Sequence, residues 1–252
     1  MSPLHPDTRS LGITWRQALL LAAALIGLAA LFWGLPNLEV TRRVPELSDL
    51  PLVEVPAQAP GSRVVVLLSG DGGWAVIDRS VAQALARRGV AVVGWSSLYY
   101  YWDPRTADEA AHDLARIIDA YTSRLNRPRV LLVGYSFGAD VLPFLVNRLP
   151  PAERAKVDGV VLLGASPSAT FKFNLVNWLG ISTGPSYRVA PEVARMKGDP
   201  PVLCINGRLE REKGCPLLAP LGARVVMLSG GHHFDGRYRR LAQLILGAFP
   251  LQ

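Results

Sequence analysis

Short runs of hydrophobic residues alternate with longer amphipathic segments along most of this chain. The runs are almost continuously apolar, as in strands covered on both faces, and they predict strands at 64–68, 90–95, 130–133, 159–163, 201–206 and 224–228. The intervening segments predict helices at 79–88, 106–126, 139–149 and 237–248. This alternation predicts an α/β fold, with a mostly parallel central sheet and helices on both faces. Functional residues are expected just after each strand, at the carboxyl edge of the sheet.

The N-terminal part of the chain has a different pattern. Residues 18–35 contain no charged residue and would form about 27 Å of helix, close to the thickness of the hydrocarbon layer. Arg9 and Arg16 precede this segment, so we expect a transmembrane anchor with residues 1–17 in the cytoplasm. A cleaved signal peptide is the alternative. Either segment would export the rest of the chain.

The Pro-rich stretch that follows predicts a linker at 36–62, with an edge strand around 52–55. The remaining residues, 63–252, are long enough for one domain with a large core. A long segment between two strands, at about 166–197, is typical of a lid or small subdomain. We expect this lid to contact lipid or to shape a groove for acyl chains.

Composition narrows the functional classes. The chain is 50% hydrophobic and 19% charged, which argues against disorder. The net charge is +7, but Lys and Arg are scattered rather than gathered on one helix, so no nucleic-acid partner is expected. In a membrane-tethered protein this charge favours an anionic phospholipid surface as the partner.

Two cysteines, Cys204 and Cys215, lie close together in the sequence. In an oxidising compartment they predict a disulfide, which would contribute roughly 3 kcal/mol by restricting the unfolded chain. No cluster of cysteine and histidine has the spacing of metal ligands. We therefore expect neither a metal site nor a cofactor.

The motif GYSFG at 134–138 indicates a nucleophile. Gly-x-Ser-x-Gly alone is weak, since it arises by chance in roughly one chain of this size in ten. Here it follows a predicted strand and precedes a predicted helix, which is the context of a nucleophile elbow. Ser136 is therefore the candidate nucleophile, and the backbone N–H of Phe137 is a candidate donor to the oxyanion.

A serine nucleophile needs a base and an acid, expected after the last strands in the order serine, acid, histidine. His232 and His233 follow the last strand, and the loop spacing favours His233, with His232 as the alternative. Two carboxylates compete for the acid. Glu210 stands three residues after a glycine and Glu212 four before a proline, and we favour Glu210 only slightly.

The glycine-rich loop after the first long strand is the expected source of the second oxyanion donor. Three glycines allow a close approach of the backbone to a substrate, and the loop lacks the lysine of a phosphate-binding P-loop. The candidates in this loop are Gly72, Gly73 and Trp74.

Several strings together resemble one known family. LLSGDGGW, SSLYYYW, GYSFGADVLPF, the C…CP acid loop and GGHHFDG are similar to the VirJ/AcvB group of virulence-associated bacterial α/β hydrolases. One departure is that Arg208 and Leu209 dilute the expected acidic stretch after Gly207. The resemblance implies the α/β-hydrolase fold, a periplasmic location at the inner membrane, and hydrolysis of the aminoacyl ester of aminoacylated phosphatidylglycerol.

Such a substrate carries an ammonium group beside the scissile carbonyl, which favours acidic or aromatic contacts. The candidate contacts are Asp71, Tyr135, Tyr100 and Trp102. A surface aromatic cluster packed under loops is the other interpretation of the last two. Two other functions stay open: an export- or virulence-associated interaction module on a hydrolase scaffold, and a serine esterase or lipase of another specificity.

Overall fold

A computed structural model describes residues 44–173 and 185–251. Among these residues, no helix combines the length and apolarity needed to cross a membrane. The predicted anchor at 18–35 and the middle of the predicted lid lie outside the described residues.

The described residues form a seven-stranded sheet and a separate two-stranded one. The strands of the large sheet are β1 Leu52–Val55, β2 Arg63–Leu68, β3 Ala91–Trp95, β4 Arg129–Tyr135, β5 Val157–Leu163, β8 Val202–Gly207 and β9 Arg224–Leu228. Their order across the sheet is β1-β3-β2-β4-β5-β8-β9, in which β1 is antiparallel to β3 and every other pair is parallel. The small sheet pairs β6 Ser168–Ala169 with β7 Tyr187–Arg188 in antiparallel fashion.

Helices follow most of the strands. The α-helices are α1 Val76–Ala86, α2 Ser97–Tyr100, α3 Ala107–Leu125, α4 Phe137–Val146, α5 Pro151–Arg154, α6 Val189–Met196, α7 Cys215–Leu218 and α8 Tyr238–Ala248. Short 3₁₀ helices occupy Pro45–Leu47, Ala219–Leu221 and Phe234–Gly236. Thr106 caps α3 in a reciprocal pair with Glu109, in which each side chain accepts a hydrogen bond from the other's backbone N–H.

Successive residues of the central strands pack alternately into two hydrophobic layers, one on each face of the sheet. Val64, Val66 and Leu68 of β2 pack in the layer that also contains α3 and α4, whereas Val65 and Leu67 pack in the layer with α1 and α8. Because side chains alternate across a strand, a strand with helices on both faces must be apolar at every position. The continuous apolar runs of the sequence have this cause.

The predicted linker at 36–62 is too long. Val44, Leu47, Leu50 and Leu52 are buried in the same core as α3 and α4, so the packed domain begins by residue 44. The predicted edge strand is present as β1 and covers the open edge of β3. Proline content alone does not distinguish a linker from a segment that packs through a few spaced apolar side chains.

The second half of the predicted lid is anchored in the core. Helix α6 packs against α4 and buries Val189, Val193 and Met196. The antiparallel pair β6–β7 closes the base of the insertion beside this helix. The described ends of the insertion are therefore held in place by ordinary hydrophobic packing.

Helix α1 begins with a buried carboxylate, and its charge generates a prediction about stability. Asp78 accepts a hydrogen bond from the backbone N–H of Ala75 at 2.9 Å, but it is only 1% exposed, and its Oδ1 has no partner among the described residues. Burial raises the pKa of Asp78 from 3.8 to about 7. The folded protein therefore binds this proton more tightly than the unfolded chain does. The contribution of this bound proton to the free energy of unfolding is therefore complete below about pH 4 and is lost as the pH rises to about 7.

Asp78→Asn keeps the acceptor for Ala75 and removes the charge at every pH. We expect the variant to be more stable than the parent by roughly 2 kcal/mol at pH 8, and no more stable near pH 4. Urea unfolding at the two pH values measures this, with the exposed Asp103→Asn as the control. A gain of equal size at both pH values would contradict a charged, buried Asp78.

Candidate active site

Ser136 sits on a sharp turn between β4 and α4. Its backbone has φ 52° and ψ −119°, a strained conformation for a residue with a side chain, and its N–H donates to the carbonyl of Leu163 at 2.8 Å. Gly134 and Gly138 flank the turn. A side chain on Gly134 would collide with the backbone of Gly138, and one on Gly138 with the carbonyl of Leu68. The two glycines thus let strand and helix cross closely enough to hold the turn.

A hydrogen-bonded chain leads away from the Ser136 hydroxyl. His232 Nε2 lies 2.7 Å from Ser136 Oγ, and His232 Nδ1 lies 3.0 Å from Glu210 Oε2. A carboxylate only accepts hydrogen bonds, so Nδ1 carries the proton, and Nε2 is free to accept the proton of the serine hydroxyl. The geometry is that of a nucleophile, a base and an orienting acid.

The Glu210 side chain is buried, with 4% of its area exposed. Burial alone would raise its pKa, but hydrogen bonds from His232 and from the backbone N–H of Gly207 outweigh burial and place the pKa below its usual value. The acid is therefore held as a carboxylate beside the imidazole. Glu212, the competing candidate, is exposed on the same loop.

The structure corrects the preference for His233. The Nδ1 of His233 lies 3.0 Å from the hydroxyl of Tyr135, whereas the ring that reaches Ser136 Oγ is that of His232. The reason is the close packing of the loop that follows β9. Gly207 has no side chain, so the carbonyls of Gly230 and Gly231 approach the end of β8, and the next residue, His232, is the one that reaches Glu210.

A second glycine makes room for the ring of His232. A methyl group on Gly164 would lie 2.9 Å from His232 Cε1, and Gly164 also has a positive φ of 65°. Counting residues after a strand could not find this contact, because it joins the ends of β5 and β9. The one available signal was that a glycine ends β5 at the predicted carboxyl edge.

The predicted disulfide between Cys204 and Cys215 is confirmed. It joins β8 to the first residue of α7, with the Cα atoms 5.3 Å apart, and the loop between them carries Glu210. Asn206 strengthens the same closure. Its Oδ1 accepts from the backbone N–H of Cys215 at 2.9 Å, and its Nδ2 donates to the carbonyl of Ala165 at 3.2 Å.

The oxyanion candidates divide into two groups. The N–H of Phe137 opens α4 beside Ser136 and donates to no other described residue. The N–H of Gly73, in contrast, donates to the carbonyl of Gly70 at 3.1 Å. Gly73 is therefore not an available donor, which corrects its assignment.

The other two candidates, Gly72 and Trp74, lie farther along the same loop. The ring of Trp74 packs over Gly94 of β3, and Gly72 is exposed. The sequence reasoning missed Gly70, whose missing side chain leaves room for Ser136. A Cβ at this position would be 3.3 Å from the Cβ of Ser136. The start of the loop, rather than its middle, borders the nucleophile.

The predicted headgroup contacts are placed differently from one another. Tyr100 is 3% exposed and donates its hydroxyl to Asp113 at 2.7 Å, so it belongs to the core, and its prediction as a substrate contact is wrong. Trp102 is exposed and stacks on Phe173 with ring centroids 5.5 Å apart. Tyr135 is buried below the two histidines, and Asp71 is half-buried in the loop after β2.

Asp140 is a further acidic residue at this edge that the sequence reasoning missed. It lies one helical turn after Ser136, and its Oδ1 accepts from the N–H of Ser166 at 2.7 Å. Burial raises its pKa well above the usual value, and the charges of Asp71 and Glu212 raise it further. Helical spacing was the signal that could have found it, since residues four apart share a helix face.

The described residues contain no group of three or more His, Cys, Asp or Glu side chains arranged to hold a metal ion. A family model described as bacterial virulence protein (VirJ) matches residues 62–251. The chain belongs to the VirJ family. No curated protein matches it in sequence.

Solved structures share the fold of this VirJ family member at low sequence identity. MenH from S. aureus is 14% identical with a TM-score of 0.58, covering 78% of this chain and 96% of its own. Est1E from Butyrivibrio proteoclasticus is 14% identical, with a TM-score of 0.54 and coverages of 79% and 95%. An alpha-beta serine hydrolase homologue from Coxiella burnetii is 16% identical, with a TM-score of 0.52 and coverages of 79% and 90%. These likenesses show the α/β-hydrolase fold.

The two neighbouring histidines allow a matched test of the geometry. We expect His232→Gln to slow the labelling of Ser136 by a fluorophosphonate probe by roughly 10³-fold or more, because the hydroxyl loses its proton acceptor. His233→Gln should change the rate by only a few-fold. The labelling rate of each full-length variant measures this. An equal loss in the two variants would contradict the assignment of His232.

The disulfide generates a prediction about stability. Replacing both Cys204 and Cys215 by Ala should lower the free energy of unfolding by roughly 3 kcal/mol, since the unfolded chain regains the freedom of the closed loop. Denaturant unfolding of the parent, with and without reductant, provides the comparison. The parent should lose a similar amount on reduction, and the variant should be unaffected by reductant. A parent whose stability does not change on reduction would contradict this role.

Proposed function

We propose that this chain is a serine hydrolase that cleaves the aminoacyl ester of aminoacylated phosphatidylglycerol. The observation that carries the catalytic part is the continuous chain of hydrogen-bonding groups from Ser136 Oγ through His232 to the buried Glu210 carboxylate. A serine hydroxyl has no nucleophilic power at neutral pH without such a base. The substrate class is supported by the family resemblance and by the charge of the site.

The first half-reaction acylates the serine. Ser136 Oγ attacks the ester carbonyl while its proton passes to His232 Nε2, and the Glu210 carboxylate stabilises the imidazolium that forms. The N–H of Phe137 faces the negative charge that develops on the carbonyl oxygen. The bond to the glycerol oxygen then breaks, and His232 returns the proton to this leaving group.

The second half-reaction releases the amino acid. A water molecule gives a proton to His232 and attacks the aminoacyl ester of Ser136, and collapse of the intermediate returns the proton to Oγ. The products are phosphatidylglycerol and a free amino acid. His232 carries the transferred proton in both half-reactions.

Acidic residues beside the nucleophile favour a cationic acyl group. Asp140 lies one turn along α4 from Ser136, and Asp71 follows Gly70, the residue that borders Ser136. An ammonium group next to the scissile carbonyl would stabilise these carboxyl groups in their ionised form. An ordinary fatty acyl ester offers no such compensation.

The disulfide is typical of proteins outside the cytoplasm. Together with the apolar segment at 18–35, it supports a periplasmic domain tethered to the inner membrane, where an aminoacylated lipid would be within reach. The tether is part of the proposal, because this segment lies outside the described residues.

Ser136→Ala tests the catalytic proposal. We expect hydrolysis of aminoacyl-phosphatidylglycerol in mixed micelles to fall by at least roughly 10⁴-fold, because the attacking atom is gone. Release of the amino acid is measured directly, with the exposed Ser123→Ala on α3 as a matched control.

Three results would contradict the proposal in different ways. Hydrolysis that persists in Ser136→Ala would refute the nucleophile. If the parent cleaves simple soluble esters but not the aminoacyl lipid, the chemistry stands and the substrate is wrong. Full biological complementation by an inactive Ser136→Ala protein would favour an interaction module instead.

A further inference from the structure

A second cavity of about 500 Å³ lies outside the Ser136 site. It is enclosed by the segment before α3, the two described ends of the insertion, and the facing sides of α4 and α6. Neither Ser136, His232 nor Glu210 lines it. The mechanism above makes no use of this cavity.

Three aromatic rings form one wall of the cavity. Phe144 and Phe171 lie 5.4 Å apart, and Tyr187 lies 6.0 Å from Phe171 and 6.3 Å from Phe144, measured between ring centroids. The rings meet edge to face, an arrangement that keeps them in fixed positions. Tyr187 is 47% exposed, so apolar surface is open on this side of the cavity.

The same ring cluster is continuous with the Ser136 site. Tyr101 packs between Phe171, at 6.2 Å, and Phe137, at 4.9 Å, and Phe137 is the residue directly after the nucleophile. The backbone carries a parallel link, since the N–H of Arg105 donates to the carbonyl of Phe171 and the N–H of Phe173 to that of Tyr101. A continuous series of ring contacts thus runs from the cavity to the residue after Ser136.

Charged side chains line the cavity unevenly. Among the described residues that line it, one is a carboxylate, Glu192, and four are cations: Arg105, Arg148, Lys172 and Arg195. Glu192 already engages two of them, with Arg195 at 2.8 Å and Arg148 at 3.6 Å. Arg148 also pairs with Asp108 at 3.3 Å.

The other two cations make no ion pair among the described residues. Neither Arg105 nor Lys172 has a carboxylate within ion-pair distance there, although Glu109 lies near enough to Arg105 for their charges to interact. The guanidinium of Arg105 lies over the ring of Tyr100 at 5.0 Å. The cavity therefore combines an aromatic wall with two positive charges that no ion pair engages.

We propose that this cavity binds an anionic phospholipid, with the phosphodiester at Arg105 and Lys172 and the start of an acyl chain against Phe171 and Tyr187. The proposal rests on the proposed function and deepens it, because a lipid-binding cavity would hold the enzyme at the lipid surface on which it acts. A small anion would make no contact with the aromatic wall. A zwitterionic lipid carries no net negative charge to pair with the excess positive charge of the cavity. An anionic amphiphile matches both features.

Calorimetric titration of full-length Ser136→Ala protein tests binding without turnover. The probe is short-chain phosphatidylglycerol kept monomeric, compared with phosphatidylcholine of the same chains and with inorganic phosphate. We expect phosphatidylglycerol to bind about tenfold or more tightly than either, since only it offers both charge and hydrocarbon. Equal affinity for phosphatidylcholine would overturn the proposal, and so would equal affinity for phosphate.

A charge-matched pair of variants assigns the site. Arg105→Gln with Lys172→Gln should weaken phosphatidylglycerol binding by about tenfold or more. Arg88→Gln with Arg239→Gln removes the same charge from exposed positions outside the cavity and should leave binding unchanged. Equal weakening in the two double variants would show a general attraction to positive charge and would refute the site.

The same variants with Ser136 intact separate this inference from the proposed function. We expect Arg105→Gln with Lys172→Gln to keep the parent's rate on a small soluble ester, which also reports a correct fold, and to raise KM for the lipid ester. A loss on both esters would contradict a role confined to lipid binding. If the parent cleaves no aminoacyl lipid at all, the proposed function fails, while the binding titration still decides the cavity.

Discussion

The site depends on one strained residue, Ser136, at the crossing of β4 and α4. A positive φ at a serine costs of order 1–3 kcal/mol, and the surrounding packing must hold it. The holding contacts are backbone hydrogen bonds from Ser136 to Leu163 and from Gly138 to the carbonyl of Ser69. Both partners lie at the carboxyl ends of β5 and β2, the two strands that flank β4, so the sheet itself holds Ser136 in place.

The parallel pairing of the strands determines which loops lie next to Ser136. The loops after β2, β5, β8 and β9 leave the same edge of the sheet and supply Gly70, Gly164, Glu210 and His232. Each element contributes one contact, and the rest of the domain positions the strands. The aromatic cluster from Phe137 to Tyr187 extends this edge toward α4 and α6, so an apolar surface begins directly beside the reacting atoms.

The sequence allowed the layered fold and the tight turn at Ser136 to be predicted, because both rest on local patterns. Apolar runs mark doubly covered strands, and the glycine spacing around Ser136 marks a tight crossing. The choice between His232 and His233 depends on how closely two loops approach, which is not a local property. Tyr100 was misassigned because its burial depends on how α2 packs against Trp95 at the end of β3 and Asp113 of α3, contacts that no periodic pattern of the sequence shows.

Gly207 has a consequence for how this protein can change over evolutionary time. Because Gly207 has no side chain, the backbone of Gly230 and Gly231 packs against the end of β8, and the N–H of Gly207 donates to the Glu210 carboxylate. The loop that carries Glu210 and the loop that carries His232 therefore meet at this one residue. A side chain there would displace both loops at once. Lengthening or shortening either loop would also demand a matching change in the other. The two loops are therefore expected to vary together among relatives, as a single inherited unit.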